Sequence, residues 1–226
     1  MHRIRVVVCD WDGVISQTDP ANEWAFRVVL GSRGLPMEGN WYREFFLGRT
    51  LKEALPRYLL AIGESVARVE ELETAKRSLD EACRRMIEPY ADAIDFLGRV
   101  KGRRILAVAT GARPIQIKAG IEKFDLDGTF AVVVTAHDYT YGKPNPEPYM
   151  TALRKLNNGR EVEIRPEECL VVEDSPMGVK AAKAAGMICA AVTHTHSREE
   201  LLAAGADLVV DDLRDLATIL VEGSGL

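Results

Sequence analysis

Six short apolar runs, rich in valine, isoleucine and alanine, are separated along this chain by segments with the periodicity of amphipathic helices. Strands that alternate with helices of this length are typical of a parallel sheet covered by helices on both faces. The alternation therefore predicts an α/β fold with three layers. The predicted strands are 4–9, 105–109, 130–135, 169–172, 188–192 and 207–210, and the predicted helices are 91–100, 116–124, 146–156 and 177–185.

The stretch between the first two predicted strands interrupts the alternation, because it contains helical patterns and no convincing strand. Its longest helical run, 64–86, places apolar residues on one face and is followed by Pro89, which closes it. The insert comes directly after the first strand. We predict an α/β core formed by 1–16 and 89–226, and a helical cap formed by 17–88.

The overall composition restricts the possible functions. A formal net charge of −5 argues against a nucleic-acid-binding protein, which usually carries a basic excess. No segment approaches the run of about 18 apolar residues that a membrane span requires, and the first apolar run is too short for a signal peptide. The four cysteines are widely scattered, which favours buried, reduced thiols. We therefore expect a cytoplasmic, soluble protein, and nothing in the sequence requires more than a monomer.

Polar and charged residues follow four of the predicted strands, at the point where each strand ends. In a parallel sheet these ends lie along one edge, where ligands bind. Taken singly, each residue has an ordinary explanation as a turn residue, a helix cap or a solvated side chain. Together they bring carboxylates, a hydroxyl, an ammonium and a glycine to the same edge. The residues are Asp10 and Asp12, Thr110 and Gly111, Lys143, and Glu173 with Asp174.

This combination of groups is suited to phosphoryl transfer. Several neighbouring carboxylates repel one another unless a hard cation neutralises them, and Mg²⁺ prefers oxygen ligands together with a substrate phosphate. A carboxylate can also attack phosphorus and form an aspartyl-phosphate. An ammonium, a hydroxyl and backbone N–H groups can stabilise the charge on the transferred group. The strand ends therefore indicate Mg²⁺-dependent phosphoryl transfer.

Four segments in this order resemble the motifs of the haloacid dehalogenase superfamily of Mg²⁺-dependent phosphotransferases. They are DWDGVI at Asp10, VATGA at Thr110, GKPNPEPY at Lys143 and VVEDSPMGVKAAKAAGM at Glu173. The resemblance covers nearly the whole chain. The position of the insert resembles the helical-cap subgroup, which includes β-phosphoglucomutase-like proteins and phosphoglycolate phosphatases. The resemblance implies a Rossmann-like core with a mobile cap that closes over the substrate.

The resemblance implies that Asp10 is the nucleophile and a Mg²⁺ ligand. Asp12 would be the general acid and base, with its backbone carbonyl on the metal. Dehalogenases and phosphonate hydrolases lack an aspartate at the position of Asp12, so this residue argues against both reactions.

The same resemblance implies roles for the residues at the other strand ends. Thr110 and Lys143 would hold the phosphoryl oxygens, with Gly111 beside them as a substrate-binding position. Asp174 would bind Mg²⁺ directly, and Glu173 would be a further ligand or lie just outside the ligands. The expected function is hydrolysis of a small phosphorylated metabolite, such as a sugar phosphate or a phosphoglycolate-like compound.

Two alternatives stay open beside a phosphatase. Sugar-phosphate mutases use the same core, but they place a histidine in the cap where this chain has Asn22, which favours hydrolysis. A non-catalytic member that binds a ligand or partner would be expected to lose at least one of the site residues. All of them are present here, which argues against such a role.

Several further residues have less specific interpretations. Arg49 is a candidate for contact with a second anionic group of the substrate, since arginine suits carboxylate and phosphate recognition. Trp11 is expected to face the core. In THTHSREE, the two histidines make a poor metal site, and the spacing of Ser197 and Glu200 predicts a capping box. The aromatic residues of the cap are expected to form its core; they are Trp41, Tyr42, Phe45 and Phe46.

Overall fold

The computed structural model describes residues 4–47, 49 and 51–222. Its strands are β1 (Val6–Cys9), β2 (Ser16–Gln17), β3 (Glu88–Pro89), β4 (Ile105–Ala109), β5 (Val132–Val134), β6 (Cys169–Glu173), β7 (Ile188–Val192) and β8 (Leu208–Val210). Its α-helices are α1 (Asp19–Gly31), α2 (Leu51–Ala61), α3 (Val69–Ser78), α4 (Asp80–Met86), α5 (Ala91–Val100), α6 (Pro114–Lys123), α7 (Glu147–Asn157), α8 (Pro176–Ala184), α9 (Arg198–Ala203) and α10 (Leu213–Glu222).

The chain divides into two compact units. The α/β unit comprises the described parts of Met1–Gln17 and Glu88–Leu226, and the helical unit is Thr18–Ile87. The helical unit begins and ends one residue inside the predicted range 17–88, because Gln17 and Glu88 pair with each other in the short antiparallel ladder of β2 and β3. That the helical unit acts as a cap stays a prediction.

The α/β unit contains a parallel sheet of six strands in the order β5-β4-β1-β6-β7-β8. The central strand β1 pairs with β4 on one side and β6 on the other, and all four of its residues are buried. Helices α7, α8 and α9 contribute to one core cluster with one face of the sheet, while α5 and α10 pack on each other and α10 also contacts β8. The predicted α/β fold is confirmed, and all six predicted strands are present.

Trp11 faces the core, as the sequence predicts. Its side chain is 2% exposed and stacks on Phe124, with ring centroids 5.7 Å apart. The indole also lies against the backbone of α6 at Gly120, where an ideal Cβ would be only 2.4 Å from Trp11 Cζ2. Any side chain at this helical position would therefore displace the residue that separates Asp10 from Asp12.

We expect Gly120→Ala to destabilise the protein by about 1–3 kcal/mol, because the added methyl group overpacks the contact with Trp11. Urea unfolding measures the change. Gly98→Ala is the matched control, since Gly98 lies in α5 and an ideal Cβ there meets no atom within 4 Å. A Gly120→Ala protein as stable as the Gly98→Ala protein would contradict the tight packing of Trp11.

The helical unit has its own apolar core, and the cap aromatics belong to it. Tyr42 and Phe46 are buried, and Trp41 and Phe45 pack against the same cluster, as expected. Residues Tyr42–Phe46 form a turn of π-helix.

The predicted helical run 64–86 is wrong as a single element. It consists of a 3₁₀ turn (Val66–Arg68), α3 and α4, with a break at Leu79. The Ser78 hydroxyl donates to the carbonyl of Ala75 at 2.6 Å and so competes with the backbone ladder near the end of α3. Leu79 itself turns toward the apolar core of the unit.

Candidate active site

Asp10 follows the central strand and is held by two donors. The backbone N–H of Trp11 donates to Oδ1 at 2.7 Å, and Lys143 Nζ lies 2.8 Å from Oδ2. Burial raises the pKa of Asp10 to about 7; the charge of Lys143 opposes this shift, while those of Glu173 and Asp12 add to it. The two donors thus orient the Asp10 carboxyl group, and burial disfavours its ionised form.

The turn after Asp10 is closed by the chain itself. The N–H groups of Ile15 and Ser16 both donate to the carbonyl of Trp11 at 2.9 Å, and Asp12 forms a β-bridge with Ser16. Gly13 has a φ of 76°, and an ideal Cβ there would lie 1.9 Å from Asp174 Oδ2. The carboxylate of Asp174 therefore packs directly on the Gly13 backbone.

Lys143 joins two of the site carboxylates. Its Nζ lies 2.8 Å from Asp10 and 2.6 Å from Glu173, and it sits 5.0 Å from the centre of the Tyr149 ring. Burial alone would lower the pKa of Lys143, but the charges of Asp10 and Glu173 raise it above its ordinary value. The ammonium is therefore charged at neutral pH and can attract phosphoryl oxygens.

Glu173, at the end of β6, is fully buried and accepts hydrogen bonds at both oxygens. Lys143 and the Tyr149 hydroxyl donate to Oε1 at 2.6 and 2.5 Å. The N–H groups of Asp174 and Ser175 and the Ser175 hydroxyl donate to Oε2 at 3.0, 3.2 and 3.1 Å. Burial would raise the pKa of Glu173, but Lys143 and these hydrogen bonds hold it below its ordinary value. Both oxygens of the Glu173 carboxylate therefore already accept hydrogen bonds from other groups of the protein.

Asp174 completes a cluster of three carboxylates. Asp10, Glu173 and Asp174 each offer an oxygen within 4.8 Å of the others, which makes them, among the described residues, a group able to hold a metal ion. Burial raises the pKa of Asp174 well above its ordinary value, and the charges of Glu173 and Asp10 raise it further. With all three ionised, Lys143 leaves a net local charge of −2, which a divalent cation would balance. An all-oxygen donor set of this kind fits Mg²⁺.

Thr110 and Gly111 follow β4, the neighbour of β1. The Thr110 side chain is buried, and its Oγ1 accepts from the N–H of Ala112 at 3.0 Å, so the hydroxyl hydrogen can be donated to another acceptor. Tyr139 donates to the Thr110 carbonyl at 3.1 Å. Gly111 is exposed, and its backbone is therefore accessible to a ligand.

Arg49 belongs to the helical unit. Its side chain is exposed, and its guanidinium donates to the carbonyls of Glu44 at 3.0 Å and Leu47 at 3.5 Å. In the same unit, Asn22 accepts a 2.8 Å hydrogen bond from the buried amine of Lys76. A role of Arg49 in substrate binding stays a prediction.

The structure adds one residue, Tyr149, that the sequence does not identify, and it shows the contacts of the THTHSREE segment. Tyr149 lies within GKPNPEPY, and it contacts the site through its hydrogen bond to Glu173 and through its ring, which lies against Lys143. His194 has two protein partners, the Gly13 carbonyl and Asp92, so it fits a structural network better than a metal site. The predicted capping box of Ser197 and Glu200 is confirmed at the start of α9.

Comparison with known proteins decides the family. The family of haloacid dehalogenase-like hydrolases matches this chain over residues 4–186. The chain belongs to the haloacid dehalogenase-like hydrolase family. The predicted resemblance is therefore confirmed, and the four motif segments lie within or at the edge of the matched region.

The hydrolase is similar to named phosphatases along nearly all of its length. It is 32% identical over 217 residues to a phosphorylated carbohydrates phosphatase of Thermotoga maritima, covering 92% of this chain and 94% of the relative. It is 28% identical over 225 residues to validoxylamine A 7'-phosphate phosphatase of Streptomyces hygroscopicus subsp. limoneus, with 94% and 95% covered. These relatives and the family identify the hydrolase as a phosphoric monoester hydrolase.

A solved structure shows the same architecture. CbbY from Rhodobacter sphaeroides, in complex with phosphate, superposes with a TM-score of 0.76 at 25% identity, over 94% of this chain and 96% of CbbY. In the part of the hydrolase that the structure describes, no helix has the length and apolar character of a membrane span. A monomeric state stays a prediction.

Proposed function

We propose that the hydrolase is a Mg²⁺-dependent phosphatase that acts on a small phosphorylated carbohydrate through an aspartyl-phosphate on Asp10. The observation that carries the proposal is the buried cluster of Asp10, Glu173 and Asp174 with Lys143 as its one described counter-charge. Such a cluster is expensive to bury unless it binds a cation, and perturbed carboxylates of this kind are typical of functional sites.

The residues that would hold Mg²⁺ are Asp10, Asp174 and the backbone carbonyl of Asp12. Glu173 is better suited to positioning, because five donors already bond to its oxygens. When bound, Mg²⁺ supplies positive charge that polarises the phosphoryl group and offsets charge on its oxygens.

The chain's own residues account for the two halves of the reaction. A carboxylate oxygen of Asp10 attacks phosphorus while the ester P–O bond breaks, and Asp12 protonates the leaving alcohol oxygen. Asp12 then removes a proton from water, which attacks the phosphorus of the aspartyl-phosphate and regenerates the Asp10 carboxylate with release of phosphate. Lys143 and the Thr110 hydroxyl stabilise the phosphoryl oxygens in both steps, together with backbone N–H at Gly111.

The substrate class is proposed from the relatives, one of which is named a phosphorylated carbohydrates phosphatase and another a validoxylamine A 7'-phosphate phosphatase. Asn22 supports hydrolysis over mutation of a sugar phosphate, because its amide bonds to Lys76 and cannot transfer a proton at neutral pH. Arg49 is retained as a proposed contact for a second anionic group of the substrate.

The proposal predicts phosphate release that requires Mg²⁺. We would assay the protein with a panel of sugar phosphates, phosphoglycolate, nucleotides and an aryl phosphate, in Mg²⁺ and in EDTA. Release from one or a few sugar phosphates, abolished by EDTA and restored by excess Mg²⁺, is the expected result. Release that is undiminished in EDTA would refute the metal requirement. No release from any compound, with conversion of a sugar phosphate to its isomer after addition of a bisphosphate, would indicate a mutase instead.

A further inference from the structure

A short segment after β7 contacts both turns that carry the proposed metal ligands. We call residues 194–196 the β7 segment. His194 Nδ1 donates to the Gly13 carbonyl at 2.9 Å, in the turn that contains Asp12. The Thr195 hydroxyl donates to the Asp174 carboxylate at Oδ2 and lies 3.1 Å from the Asp174 carbonyl. His196 Nδ1 is 3.0 Å from that same carbonyl.

The β7 segment is itself firmly anchored. The ring of His194 stacks on Tyr90, with centroids 3.8 Å apart, and its Nε2 is 3.1 Å from Asp92 Oδ2. Asp92 also accepts from the N–H of Leu213 at the start of α10, at 2.9 Å. Burial would raise the pKa of Asp92, but these two hydrogen bonds hold it below its ordinary value, so it is an ionised acceptor. Contacts from α5 and α10 thus fix the segment.

The bond from Thr195 acts on the orientation of Asp174. The Asp174 carboxylate already packs on the Gly13 backbone, which blocks one side of it. The Thr195 hydroxyl takes up part of the acceptor capacity of Oδ2, which leaves Oδ1 as the oxygen better able to accept a cation. His194 meanwhile fixes Gly13 from the same segment, so the two turns are held at a defined separation.

We infer that Thr195 is a positioning residue that prepares Asp174 to bind the metal, with His194 fixing the opposite turn. The inference rests on the proposed function, because it takes Asp174 as a Mg²⁺ ligand. Partners that orient a metal ligand lower the reorganisation that binding requires, and their loss typically weakens metal affinity by about 10–100-fold. The effect on metal affinity should depend on the hydroxyl group of Thr195 and not on the volume of its side chain.

Three variants separate the hydroxyl from the shape of the side chain. Thr195→Val replaces the hydroxyl with a methyl group of similar size, and Thr195→Ser keeps the hydroxyl. Thr193→Val is the matched control, because the Thr193 hydroxyl bonds to Asp211, away from Asp174. Thermal unfolding in EDTA shows whether each variant is folded, and Thr195→Ala replaces Thr195→Val if the latter does not fold.

Mg²⁺ binding to each protein is measured by isothermal titration calorimetry without substrate, and activity is measured as a function of Mg²⁺. We expect Thr195→Val to bind Mg²⁺ about 10–100-fold more weakly, with kcat largely recovered at saturating Mg²⁺. Thr195→Ser and Thr193→Val should bind as the wild type does. Wild-type affinity in Thr195→Val, or equal weakening in Thr195→Ser, would overturn the inference while leaving the proposed function intact. A wild type that binds no Mg²⁺ would overturn both.

Discussion

Asp10→Asn should lower kcat by roughly 10⁴-fold or more while the protein keeps its fold, as is typical when a nucleophile is removed. The amide oxygen can still accept from the N–H of Trp11, so the turn after β1 keeps its hydrogen bond. The amide cannot attack phosphorus as a carboxylate does. Removing one of three clustered carboxylates also relieves repulsion from Glu173, and Lys143 keeps its bond to that residue.

Steady-state phosphate release measures the loss, and urea unfolding checks the fold. Asp127→Asn, an exposed aspartate between α6 and β5, is the matched control and should keep full activity. Brief incubation with substrate followed by hydroxylamine should modify the wild type, because an acyl phosphate reacts with this reagent, and should leave Asp10→Asn unmodified. An Asp10→Asn protein with activity close to that of the wild type would contradict the assignment of Asp10 as nucleophile.

The sheet and the residues at its edge could be predicted because their signals are local. Val6, Val7 and Val8 form a run that only a buried strand explains well, and Asp10 follows it immediately. The same pattern, a buried apolar strand that ends in carboxylates, occurs at Glu173 and Asp174. A parallel arrangement then brings these ends together without any knowledge of side-chain contacts.

The breaks and short pairings could not be predicted, since they depend on contacts between distant residues. Ser16–Gln17 and Glu88–Pro89 are too short to show an alternating pattern, and they form a ladder only because the chain returns to the α/β unit at residue 88. At the division of the run 64–86, the packing of Leu79 in the helical unit accompanies the local hydrogen bond of Ser78 to Ala75, and the sequence shows only the second.

Within the site, the residue types could be predicted but not how their hydrogen bonds are distributed. The sequence leaves Glu173 as either a ligand or a neighbour of the ligands. The contacts from Lys143, Tyr149 and Ser175 favour the second role, because they occupy its oxygens. The contact between Thr195 and Asp174 joins residues that lie 21 positions apart and leaves no spacing signal in the sequence.

Lys143→Met should both inactivate and destabilise the protein. Loss of one partner from a buried ion pair typically costs about 3–5 kcal/mol, because the remaining charge is left buried without compensation. In the wild type, Lys143 Nζ lies 2.8 Å from Asp10 and 2.6 Å from Glu173. The substitution leaves both carboxylates without this shared ammonium. The phosphoryl oxygens lose the same charge, so kcat should fall by roughly 10²–10³-fold.

The destabilisation should grow with pH. Burial already raises the folded-state pKa of Asp10 to about 7, with Lys143 opposing the shift, so removal of Lys143 raises this pKa further. A carboxyl with a raised folded-state pKa favours folding below its unfolded pKa of about 4, and that contribution is lost as the pH rises through the folded value. Urea unfolding of Lys143→Met in EDTA should therefore show a larger deficit at about pH 8 than at about pH 5.

Two further variants separate charge from shape at this position. Lys118→Met removes an exposed lysine of α6 and should be close to the wild type in stability at both pH values. Lys143→Arg keeps a positive charge, so it should recover part of the stability, while its planar, larger head group should leave activity low. Equal stability of Lys143→Met and Lys118→Met at both pH values would show that the ion pairs of Lys143 do not stabilise the folded protein. A deficit that is the same at both pH values would instead assign the loss to packing against the Tyr149 ring.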